Sequence, residues 1–132
     1  MRRSMIAAVL ALACTVAPAR ADLASRAETY LGQTARQLGL PPSLWCADFM
    51  NMLLGGGTGS RRADSFRTYG SAAAHGCTDC IAVIAPCHSK RWHVGVVAGY
   101  DANGNTVIVS GNHNRRVGKG VYPRRCVRAY RQ

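Results

Sequence analysis

The hydrophobic rhythm of this chain changes near Cys77, and that change limits the folds open to it. Ahead of it, in DLASRAETYLGQTARQL (Asp22 to Leu38), Leu23, Ala27, Tyr30, Leu31, Ala35 and Leu38 recur at steps of three and four. That is the spacing of one helix face, and Gly39 supplies a stop. Pro41-Pro42-Ser43 then breaks the chain, with Ser43 a candidate cap. Trp45 to Leu54 predicts a second, shorter helix ended by Gly55-Gly56-Gly57. Arg62 to Tyr69 reads as a further helical turn or two.

Beyond Cys77 the period becomes that of strands. CIAVIAP, WHVGVVAGY and NTVIVSG are short β-branched runs separated by turn residues. Asp101 to Asn105 (DANGN) is a hairpin signal, because Asn-Gly adopts positive φ at little cost. CVRAY alternates and predicts an edge strand. Helices first and an antiparallel meander second define an α+β fold, with N-terminal helices packed on a small antiparallel sheet.

Residues 1–21 stand apart from this pattern. They carry Arg2 and Arg3, an apolar run from Met5 to Val16, and Ala19-Arg20-Ala21 as a small-x-small cleavage site. This is the pattern of a secretory signal peptide, too short for a membrane span. An acylated Cys14 is the alternative, disfavoured because Ala11-Leu12-Ala13 opens without an aliphatic residue of the usual kind. The expected organisation is a leader, 1–21, and a single domain, 22–132, exported to the periplasm or beyond. Three of the 17 basic residues (Arg2, Arg3, Arg20) lie in the leader and none of the 6 acids does, so the remainder carries a formal +8. Such a charge attracts anionic polymers such as cell wall, lipid surface or nucleic acid; a solvated basic surface without a specific partner is the plain alternative.

Five cysteines follow the leader: Cys46, Cys77, Cys80, Cys87 and Cys126. In an oxidising compartment an odd number leaves one unpaired. Two disulfides among Cys77, Cys80, Cys87 and Cys126, with Cys46 free, is the economical assignment. Three connectivities are open; a bond from Cys126 back to the 77–87 region closes the longest loop. Zinc on Cys77-x-x-Cys80 and Cys87-His88 is the rival, and export counts against it.

The unpaired Cys46 opens the predicted second helix, where free N–H groups and the dipole favour a thiolate. The bland alternative is a small buried residue. His93 stands in WHVGVVAGY, where alternation puts His93, Gly95 and Val97 on one face; it is either a satisfied core histidine or a base. A Cys–His pair works because imidazole takes the thiol proton and later protonates the leaving amine. The base needs an orienter on its other nitrogen, and SGNHN offers Ser110, Asn112, His113 and Asn114. Asn112 is the choice here, with His113 in reserve. Trp45, Asn51, Trp92 and His113 flank these positions and are the candidate substrate contacts.

Taken in order, Trp45-Cys46-Ala47-Asp48-Phe49-Met50-Asn51, His93-Val94-Gly95-Val96-Val97 and Gly111-Asn112 resemble the CHAP and NlpC-type cysteine amidase/peptidase superfamily. The closing YPRRCVRAYR is similar to the last strand of its small members, so the resemblance runs from about Ala27 to Arg131. It implies a papain-like core in which Cys46 attacks an amide, His93 is the base and Asn112 holds the ring. The chain departs from the family in having Ser110 where CHAP members often have Glu two residues before the Asn. His113 falls one residue from the NlpC-type position, and Asp79-Cys80 replaces the Gly-Asp turn before the first strand. For an exported member the resemblance implies hydrolysis of a peptidoglycan amide, a reaction that requires no metal or organic cofactor. A monomer without membrane insertion is expected, and no nucleic-acid partner, because only Tyr122 and Tyr130 lie near the arginine pairs. Arg61-Arg62, Arg115-Arg116 and Arg124-Arg125 are candidate wall contacts. A non-catalytic cationic wall-binding protein and a secreted antibacterial effector are the alternatives.

Overall fold

The computed structural model describes residues 22–87 and 89–132; the leader, with Cys14, and His88 lie outside the described residues. Helix α1 covers Leu23–Glu28 and buries Leu23 and Ala27, as the apolar spacing predicts. Its Ala24 N–H donates to Asp79 Oδ1 at 2.8 Å, an acceptor brought from far along the chain. The expected continuation to Leu38 is not formed. At Gly32 the backbone takes φ 86 and turns to the sheet, where Gly32 N–H donates to the Val117 carbonyl at 2.9 Å and Val117 N–H to that of Gln33 at 2.8 Å. Bonds to a strand replace the next turns of helix, and glycine makes the turn cheap. The 34–39 stretch closes a separate turn, Thr34 N–H donating to Gln37 Oε1 at 2.8 Å.

Helix α2 spans Cys46–Leu53, burying Cys46, Ala47, Phe49, Met50 and Leu53. Ser43 does not cap it; Trp45 holds the cap position with no side-chain bond. A 3-10 turn follows at Ala63–Thr68.

The strands are β1 (Ala72–Ala73), β2 (Ile81–Ile84), β3 (His93–Tyr100), β4 (Thr106–His113), β5 (Arg116–Tyr122) and β6 (Val127–Arg131). They form one six-stranded sheet in the order β1-β6-β2-β3-β4-β5, every pairing antiparallel. The protein is therefore a mixed α/β structure with few helices. DANGN joins β3 to β4, its Asp101 Oδ1 accepting from the N–H groups of Asn103 and Asn105, both at 2.9 Å. Two strand expectations change. CVRAY is not an edge: β6 lies between β2 and the two-residue β1. Strand β5 falls in a stretch that carries no strand expectation, and it is reached through Asn114 and Arg115 at φ 54 and 63. Two consecutive positive φ values between the paired His113 and Arg116 make a tight hairpin turn whose twist suits the strands.

One face of the sheet presents Ile81, Val83, Val94, Val96 and Val109 to the helices. The other gathers Ala82, Ile84, Val97 and Ile108 with Cys80 and Cys126. Disulfides join Cys77 to Cys80 and Cys87 to Cys126, so these sulfurs are not thiolates free for zinc, and Cys46 is free and buried. Among the described residues no helix is long and apolar enough to cross a membrane.

Candidate active site

Cys46 is the first residue of α2, and its neighbours fix where that helix begins. Leu44 turns the chain at φ 50. Arg61 clamps the turn from outside, its Nη2 donating to the Ser43 carbonyl at 2.8 Å and its Nε to Asp48 Oδ2 at 3.1 Å. Gly111 of β4 lets the helix come close: a Cβ there would lie 2.6 Å from Phe49 Cβ and 2.8 Å from the Trp45 ring. Cys46 is 7% exposed. Burial raises the thiol pKa above the ordinary value, against the N–H groups of Val94, Ala47 and Cys46, which favour the thiolate; Asp48 adds to the rise. The expected helix-end stabilisation of a thiolate is present but outweighed by desolvation.

His93 opens β3. Its Nε2 lies 2.7 Å from Ser110 Oγ, and Ser110 is fully buried. Gly95 makes this approach possible, because a Cβ there would collide with Ile108, the Val109 carbonyl and Ser110. The ring of Tyr122 stacks on His93, centroids 5.6 Å apart and planes 26° apart. Burial, and then the nearby His113, lower the His93 pKa to about 4. Near neutrality both members of the Cys46–His93 set are thus uncharged.

Both line one cavity of about 560 Å³, together with Trp92, Asn112, His113 and Tyr122. Its rim carries Arg61, Arg62, Lys90 and Arg91; Arg61 is paired with Asp48 and Arg62 with Asp64. A larger hollow of about 710 Å³, between the 3-10 turn and β6, is lined by neither cysteine nor histidine. No group of three or more His, Cys, Asp or Glu side chains suited to a metal occurs among the described residues.

The sequence-derived site changes in three places. Ser110, not Asn112, sits on the bonded nitrogen of His93. Alternation would return Asn112 to that face, but the β4–β5 register shifts between Ser110 and His113 and Asn112 adopts φ 56, so it lines the cavity instead. Trp45 does not line the cavity: it is 1% exposed and packs edge-on against Phe49. Asn51 pins the glycine loop, its Nδ2 donating to the Ser60 carbonyl at 2.9 Å and its Oδ1 accepting from Thr58 N–H at 3.0 Å. Trp92 does reach the cavity, with Arg67 over its ring. Tyr122 carries no role in the sequence-derived set. Its signal was the alternation of RVGKGVY, whose Gly118 and Gly120 leave room for the His113 ring: a Cβ would lie 2.5 Å from it at the first and 2.7 Å at the second.

No family model, no curated protein and no solved structure matches the chain.

Proposed function

We propose that the protein is an exported cysteine hydrolase that cleaves an amide bond of peptidoglycan, on a papain-like arrangement of the CHAP and NlpC type. The observation that carries this reading is the shared cavity: the free cysteine and a histidine with one nitrogen already occupied by Ser110 open into the same space. With Nε2–H donating to Ser110, Nδ1 of His93 holds the lone pair and accepts the Cys46 proton as sulfur attacks the carbonyl carbon. The Cys46 and Ala47 N–H groups at the start of α2 suit the developing oxyanion. The imidazolium then gives its proton to the leaving amine, and water, deprotonated by the same nitrogen, hydrolyses the thioester. No metal or organic cofactor enters this scheme. Because the resting pair is neutral, proton transfer accompanies attack, so activity rises with pH through about 4, where His93 loses its proton.

The basic rim suits a substrate bearing carboxylates, and the peptide stems of peptidoglycan do so. The burial that raises the Cys46 pKa favours a second reading, a cationic wall-binding protein whose cysteine is inert. Mass analysis of fragments released from purified peptidoglycan separates the two. Hydrolysis predicts new soluble fragments with the wild type and none with Cys46→Ala; binding alone predicts none with either, while both remain bound to the sacculus.

A further inference from the structure

His93, Ser110, Tyr122 and His113 form a string of polar side chains across three adjacent strands. His93 Nε2 is 2.7 Å from Ser110 Oγ, the Ser110 hydroxyl also acts on the Tyr122 phenol, and Tyr122 Oη makes a long 3.4 Å contact with His113 Nδ1. Proton counting allows the string two directions, and the one that leaves His93 Nδ1 free begins with Nε2–H donating to Ser110. A serine that accepts from Nε2–H must place its own proton elsewhere, and the phenol oxygen is its neighbour. In that direction the phenol points its own proton toward His113 Nδ1, the polar atom on its far side. Burial keeps Tyr122 protonated, since it raises the phenol pKa despite the Ser110 hydroxyl; Cys46 adds to the rise.

We propose that Tyr122 is a positioning residue for the base: its ring sets the plane of His93, and its hydroxyl, between Ser110 and His113, fixes the His93 tautomer that leaves Nδ1 free. The inference rests on Cys46 and His93 being nucleophile and base. It explains how a serine serves where the related enzymes use an amide, an imidazole or a carboxylate. A lone hydroxyl can point either way, and a phenol that accepts from Ser110 holds it in the direction the base requires. The other charged groups around the cavity are Lys90 and Arg91 ahead of β3, and Arg61 and Arg62 with their partners Asp48 and Asp64.

The test uses the disulfide-intact protein and two readouts that need no substrate. Nitrogen NMR of His93 reads its tautomer; alkylation of Cys46 by iodoacetamide across pH reads the pair. The wild type is expected with Nε2 protonated, and Nδ1–H in the wild type overturns the proposal without any variant. Tyr122→Phe keeps the stacked ring and removes the hydroxyl. It should give a tautomer mixture, slow alkylation at neutral pH about tenfold and move its profile to higher pH, with kcat on peptidoglycan falling alike and KM unchanged. Tyr122→Leu, which also loses the stacking, should fall further. A wild-type tautomer and alkylation profile in Tyr122→Phe overturn the proposal. If Tyr122→Phe shifts both while the wild type releases nothing from peptidoglycan, the positioning role stands and the substrate reading falls.

Discussion

At His93 the environment disfavours charge, and that has a consequence for stability as well as chemistry. Its pKa falls from 6.5 to about 4 on folding, through burial first and His113 second. Between those values the unfolded chain binds more protons than the folded one, so stability must rise with pH across that window. The slope approaches about 1.4 kcal/mol per pH unit for one proton. Chemical denaturation at several pH values should show that slope in the wild type and a flatter line in His93→Gln. Under the proposed mechanism, Ser110 gives the catalytic counterpart. Ser110→Ala leaves Nε2 unpartnered beside a small void, and kcat should drop at least tenfold with the fold retained on thermal melting. An unchanged kcat would remove Ser110 from the site.

The elements show why the sequence disclosed some of the site and concealed the rest. Of the candidate site, the unpaired Cys46 was legible through cysteine parity and its place at the start of an apolar helix, and His93 as an imidazole in a β-branched strand. The hydrogen-bond partner of His93 was not, because alternation along SGNHN cannot foresee the β4–β5 register shift that turns Asn112 away. Helix α1 was overdrawn because periodicity is blind to the bonds that Gly32 and Gln33 make with Val117. Strand β5 was hidden by its glycines, whose purpose is visible only once the His113 ring lies over them. That packing is testable. Gly118→Ala places a methyl against the ring and should cost about 1–3 kcal/mol, measured by urea denaturation. Gly99→Ala, with open space at its Cβ, serves as the control and should cost less.

For the molecule as a whole, covalent closure and charge fit the chemistry proposed for it. The Cys87–Cys126 bond ties a loop of sequence separation 39, whereas Cys77–Cys80 spans only 3. Loop entropy predicts about 4 kcal/mol of stabilisation from the first and about 2 from the second. Replacing each pair by serine and measuring unfolding free energy should preserve that order. Cys126 also lines the site cavity, so losing the long closure should reduce activity as well as stability. The central claim, that Cys46 is acylated during turnover, is tested most directly by intact-mass analysis of the protein quenched in acid while it turns over soluble peptidoglycan fragments. The account predicts a mass increment equal to the acyl portion of the cleaved amide, located on the peptide containing Cys46 and absent from Cys46→Ala. Fragment cleavage by Cys46→Ala at the wild-type rate would contradict it.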